Sequence, residues 1–365
     1  MSPSIGSTRI LFAMKLMAAA LLLMEIAFAP SILSAQPSPS PALLALSKHD
    51  HTLAIVDPAT LKVVARAPVG NDPHEVIAST DGKTAYVSNY GFGAFNTLAV
   101  IDLVAQKPLA PVDLGALRGP HGLTFVGGKT WFTAEGAKAI GSYDPATKKI
   151  DWVLGTGQNR THMIYVTQDL QRIYTTNVSS GTVSIIEKSA ARPSAAPPSG
   201  QPAPGAPPRP MAIPGGDWNE TVVRVGDGSE GFDVTPDGKE IWVANAHDGT
   251  ISIIAMQEKT VSQTLNVNLR SANRLKITPD GKLALVSMLG AGDVAVFDVA
   301  LRKEIKRIPV GHGAAGIEMQ PDGSRVYVAC TPDNYVAVID LKSLAVVGHI
   351  DVGQEPDGLA WAVRR

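Results

Sequence analysis

Residues 235–255, "TPDGKEIWVANAHDGTISIIA", read as a turn, an apolar run, a polar loop and a second apolar run. Close variants recur: "STDGKTAYVSNYGFGAFNTLAVID" from Ser79, "TPDGKLALVSMLGAGDVAVFD" from Thr278 and "QPDGSRVYVACTPDNYVAVID" from Gln320. Weaker copies start at Val126 and Thr167. The spacing is roughly forty residues, the period of propellers and solenoids. Within each copy lie four short segments in which Val, Ile, Tyr and Trp alternate with polar residues. Gly, Pro, Asp and Asn fill the gaps, as in β-strands joined by tight turns. In the "PDG" turns, Pro presets φ, Asp bonds the backbone and Gly accepts positive φ. No long helical period follows the N-terminal segment.

Four antiparallel strands per repeat make a propeller blade. Full blades start near Asn71, Ala116, Gln158, Ser229, Leu269 and His312. The segment beginning "ALLALSKHDHTLAIVD" supplies three strands without a first one, and "EPDGLAWAVRR" at the C-terminus supplies only a first strand. Joined, they form a seventh blade and close the ring, removing the free edges that an open array would expose. The expected architecture is all-β: one seven-bladed β-propeller of four-stranded antiparallel blades over residues 42–365, with a split closing blade. Residues 189–216 are rich in Pro, Ala and Ser and cannot build a core. They read as a disordered insertion between the third and fourth strands of one blade.

Composition narrows the setting. Arg9 and Lys15 precede the apolar "LMAAALLLMEIAFA" and the small residues of "SILSAQ", the pattern of an export signal over residues 1–35. An uncleaved anchor is the alternative. Residues 36–41 then form a Pro/Ser linker. The compartment implied is periplasmic or extracellular, with no transmembrane domain beyond the signal. Lys and Arg total 32 against 33 Asp and Glu, so no charge excess points to nucleic acid. The single cysteine, Cys330, excludes an intramolecular disulfide, and its apolar setting points to a buried thiol.

The tetrads "YVSN" at residues 86–89, "YTTN" at 174–177 and "WVAN" at 242–245 resemble the YVTN β-propeller repeats of exported bacterial and archaeal proteins. The resemblance runs from Ala42 to the C-terminus and implies the same ring. It implies no particular chemistry, because related seven-bladed rings include lactonases, lyases and copper enzymes.

In such a ring the first strands line the central channel, so their starts converge on its mouth. Aligning them places His74, His121, His162, Glu230, Asn273, Ala315 and Asp357 in one column. Second-to-third loops of the same face add Asn89, Glu135, Asn177 and Asn245. Three histidines on consecutive blades could ligate a divalent transition metal such as Zn, Cu, Ni or Fe. Equally, a "PHG" histidine can bond the next blade, and the asparagines can satisfy backbone amides. The histidine side chains are expected to face a solvated channel. Asp102, Asp144, Asp298 and Asp340 end third strands, which favours a turn role. No Walker loop, GxSxG elbow or HExxH is present, and no GxGxxG stands between a strand and a helical period.

Two functions remain. The first is a monomeric, non-enzymatic ring whose channel face binds a small molecule or protein partner, through Glu230, Asn273, Asp357, Glu135, Asn89, Asn177 and Asn245. The second is a metal-dependent hydrolase, lyase or oxidoreductase with His74, His121 and His162 on the metal and Glu135 or Glu230 as base.

Overall fold

The structure, a computed structural model, describes residues 40–189 and 217–364. The segment expected to be an export signal and the body of the Pro-rich insertion lie outside these residues. Seven four-stranded antiparallel sheets form a ring of blades. Blade 1 opens with Pro73–Ala78, blade 2 with Pro120–Val126, blade 3 with Thr161–Val166 and blade 4 with Ser229–Val234. Blade 5 opens with Ala272–Ile277 and blade 6 with Ala314–Met319. Blade 7 is split as the sequence predicts. Its first strand, Pro356–Ala362, pairs antiparallel with Ala42–Ser47, setting Leu43 against Trp361 and Ala45 against Leu359. Among the described residues no helix is long and apolar enough to cross a membrane.

Seven apolar clusters fill the seven junctions between blades. This arrangement refines the expected alternation. Second and third strands are covered on both faces by neighbouring blades, so Leu53–Val56 and Ile251–Ile254 read as unbroken buried runs. Alternation survives in the fourth strands, such as Lys149–Gly155, which lie at the rim. In blade 1 the fourth strand breaks into Lys107–Pro108 and Val112–Asp113, because Pro108 and Pro111 cannot donate to the ladder.

The "PDG" turns form as expected. In blade 4, Gly238 sits at φ 70° and donates to the Thr235 carbonyl at 2.7 Å. Asp237 accepts from the Thr235 hydroxyl at 2.7 Å and the Lys239 amide at 3.1 Å. Asp102, Asp144, Asp298 and Asp340 each accept an amide two or three residues onward, which is the turn role. The insertion joins the third strand Thr182–Lys188 to the fourth strand Trp218–Arg224, and its base is tied by Ser189 N–H to the Asp217 carbonyl at 2.7 Å. Cys330 is buried, and burial pushes its thiol up to about 12.

Candidate functional site

One backbone device repeats in all seven blades and builds the mouth. Two residues before each mouth position the chain enters the left-handed region, at Asp72, Gly119, Arg160, Gly228, Ser271, Gly313 and Glu355. The carbonyls of these residues accept the amides of Tyr90, Glu135, Val178, Ala246, Leu289, Thr331 and Lys48, at 2.7–3.1 Å. Each blade therefore ties the start of its first strand to the residue just past its second strand; of the latter, Lys48, Leu289 and Thr331 line the mouth cavity. Four of the left-handed residues are not glycine, a conformation that costs roughly 1–2 kcal/mol for most side chains. At Asp72 and Arg160 the strain places a charged side chain at the mouth.

This register separates Glu135 from the asparagines. Asn89, Asn177 and Asn245 are the last residues of their second strands; the equivalent in blade 2 is Ala134, and Glu135 follows it. The asparagines are buried, and each side-chain amide donates to the threonine that opens the next strand: Thr97, Thr182 or Thr250. None of them lines the mouth cavity, whereas Glu230, Asn273 and Asp357 do.

The three histidines converge. The His121 ring lies 4.6 Å from that of His74 and 3.8 Å from that of His162, centre to centre. His121 and His162 are not solvated as expected: they are 1% and 2% exposed. Neighbouring blades cover them, with Tyr90 against His121 at 5.1 Å. His162 lies between two carboxylates, Nδ1 at 2.5 Å from Glu135 and Nε2 at 2.7 Å from Glu230. Tyr90 donates to the other oxygen of Glu135, and Arg160 bridges Glu135 at 3.6 Å and Glu230 at 3.4 Å. Across the mouth, Lys48 donates to His74 Nδ1 at 2.9 Å and pairs with Asp72 at 3.2 Å and Asp357 at 3.4 Å.

Charge sorts the histidines. Burial, reinforced by the neighbouring His162 and His74, holds the His121 pKa well below its ordinary value, so the ring is neutral. Burial alone would also lower His162, but Glu230 and Glu135 outweigh it and raise its pKa. Correspondingly, Glu230 is held at about 2 against the effect of burial, by His162 and Arg160. His121 Nδ1 is buried with no hydrogen-bond partner.

The mouth encloses a cavity of about 460 Å³. Its floor is an ion pair across the channel, from Arg274 of blade 5 to Glu75 of blade 1. Beneath it lies a second cavity of about 330 Å³ that Asp233, Lys276 and Glu318 help to line, with Lys276 and Glu318 paired at 3.3 Å. Sequence alignment missed Lys48, Asp72, Tyr90, Glu75, Arg160 and Arg274. The one signal for them was position: each lies one or two residues from the mouth column or from a second-strand end.

No protein-family model and no curated protein matches the chain. The ring is nevertheless a widely shared one. It is similar to a functionally unknown protein from Desulfotomaculum acetoxidans, at 15% identity and TM-score 0.70, covering 89% of this chain and 100% of that one. A candidate 6-phosphogluconolactonase from Bacteroides fragilis aligns at 17% identity and TM-score 0.66, covering 91% and 99%. Hydrazine synthase from Kuenenia stuttgartiensis aligns at 18% identity and TM-score 0.63, covering 86% and 99%. These likenesses establish the seven-bladed fold. The YVTN resemblance rests on its tetrads alone.

Proposed function

We propose that this is an exported propeller that binds a small charged ligand at the channel mouth without turning it over. The supporting observation is the convergence of Lys48, Arg160, Arg274 and the three histidines on one open cavity of about 460 Å³. A concave site with a few convergent polar groups of shifted pKa is the usual form of a ligand site. Export rests on the N-terminal charge and hydropathy pattern.

The test is a thermal-shift panel of small carboxylic acids, amino acids, sugar phosphates and amines on the purified chain. Compounds that stabilise the wild type should lose their effect on Lys48→Ala and Arg160→Ala. A panel without hits, or hits that stabilise both variants equally, refutes the reading. The enzymatic alternative draws on the approach of His121, Glu135 and His162, since three ligands leave a metal an open position. Incubating each hit with metal-supplemented protein separates the two: recovery of the unchanged compound supports binding alone.

A further inference from the structure

The geometry points to a divalent transition-metal site formed by His121, Glu135 and His162, with Glu230 and Tyr90 orienting its ligands. This deepens the reading of the mouth as a ligand site and rests on it. One ligand atom from each of the three residues lies within 4.8 Å of the other two. Around a tetrahedral zinc the donors stand about 3.3 Å apart, so a contraction of about 1.5 Å at most closes the set. Two imidazoles and a carboxylate suit zinc, copper or nickel and not a hard cation such as calcium.

Three further observations favour a metal over a plain ion-pair cluster. First, His121 Nδ1 is buried without a partner, and such a group costs about 1–3 kcal/mol unless something takes its lone pair. Second, Glu230 stands 2.7 Å from His162 Nε2, an ion-pair contact outside hydrogen-bond geometry, so a small turn of the ring would give Nε2 an orienting carboxylate and leave Nδ1 for the metal. A metal entering between His162 Nδ1 and Glu135 Oε1 takes the place of their shared proton, which leaves to solvent. Third, the carboxylate ligand is itself held, by the Tyr90 hydroxyl on Glu135 Oε2. His74 is excluded as a ligand of this set, because its Nδ1 accepts from Lys48 at 2.9 Å and its ring serves as a wall beside His121. The cavity side stays open, so an anionic ligand held by Arg160 can reach the metal's free position.

The experiment is equilibrium dialysis of the full chain, first stripped with a chelator, against Zn²⁺, Cu²⁺, Ni²⁺ and Co²⁺, with elemental analysis and Co²⁺ absorption spectra. One metal ion per chain at micromolar or lower concentration is expected. His121→Ala and Glu135→Gln should each weaken binding at least 100-fold. Glu230→Gln should weaken it about 10-fold, as loss of an orienting partner does, and His74→Ala less than 3-fold. Melting curves of the stripped variants verify folding. If His121→Ala fails to fold, His121→Gln, which keeps most of the volume, takes its place. The proposal is overturned if the stripped wild type takes up none of the four metals. It is also overturned if uptake survives Glu135→Gln, or if His74→Ala abolishes it. Ligand hits that still stabilise stripped protein in that event leave the mouth-binding reading standing without the metal.

Discussion

Replacing Arg274 by methionine tests whether the channel floor is held by its cross-ring ion pair. Arg274 is 6% exposed, pairs with Glu75 from the far side of the ring and donates to Asn273 Oδ1 at 3.0 Å. Methionine fills most of the space but strands the Glu75 carboxylate. Breaking a buried pair from one side costs about 3–5 kcal/mol, and the orphaned Asn273 oxygen adds up to about 1 kcal/mol. Glu75 lines a cavity and has Lys276 within electrostatic reach, which favours the lower end, about 3 kcal/mol. For a ring of this size the melting temperature should fall by about 5 °C. Glu75→Gln should cost less, because Asp357 and Glu230 still face the Arg274 charge. The double variant Glu75→Leu/Arg274→Met should recover most of the loss, since an apolar pair of similar volume removes both charges together. Calorimetry of wild type, Glu75→Leu, Arg274→Met and the double variant completes the cycle. An Arg274→Met melting temperature within 2 °C of wild type would refute a stabilising floor, as would a double variant no better than the single.

Three other outcomes follow from the ring. Deleting residues 355–365 should leave the chain insoluble, because it bares the ladder edge of Ala42–Ser47 and uncovers the first strands of blades 1 and 6; the milder Leu359→Ala should cost about 2–3 kcal/mol in chemical denaturation, and a folded truncated ring would disprove the split-blade closure. Replacing residues 190–216 by a short Gly-containing turn should move the melting temperature by less than about 2 °C, since Lys188 and Trp218 already pair at its base and loop length enters stability only logarithmically. Acid should unfold the ring between about pH 4 and 2. Hydrogen bonds, first from neighbouring hydroxyls and then from amides, lower the turn carboxyls of Asp81, Asp169, Asp237, Asp280 and Asp322, with Asp237 and Asp280 at about 2. A lowered folded pKa stabilises above the unfolded value of about 3.9 and is lost as pH falls through the folded one. Thr235→Val/Thr278→Val should flatten this dependence, and an unchanged acid midpoint would count against it.

Much of this molecule was legible in one dimension. A blade is local: its four strands follow one another in sequence, and its turns need Pro, Asp and Gly at set positions, so the repeat of "PDG" and the missing first strand near Ala42 carry the ring and its closure. The first-strand column was legible for the same reason, and it brought His74, His121 and His162 together correctly. Tertiary structure decided the rest. Glu135 reaches His162 and Arg160, two residues that line the mouth, while the neighbouring asparagines bond the threonine of the next strand, because one residue of register turns a side chain to the other face. His121 is buried because Tyr90 and His162, from the blades on either side, close over it. The Glu75–Arg274 floor joins residues 199 positions apart. No local pattern encodes that pair, since only closure of a seven-bladed ring sets blade 1 across from blade 5.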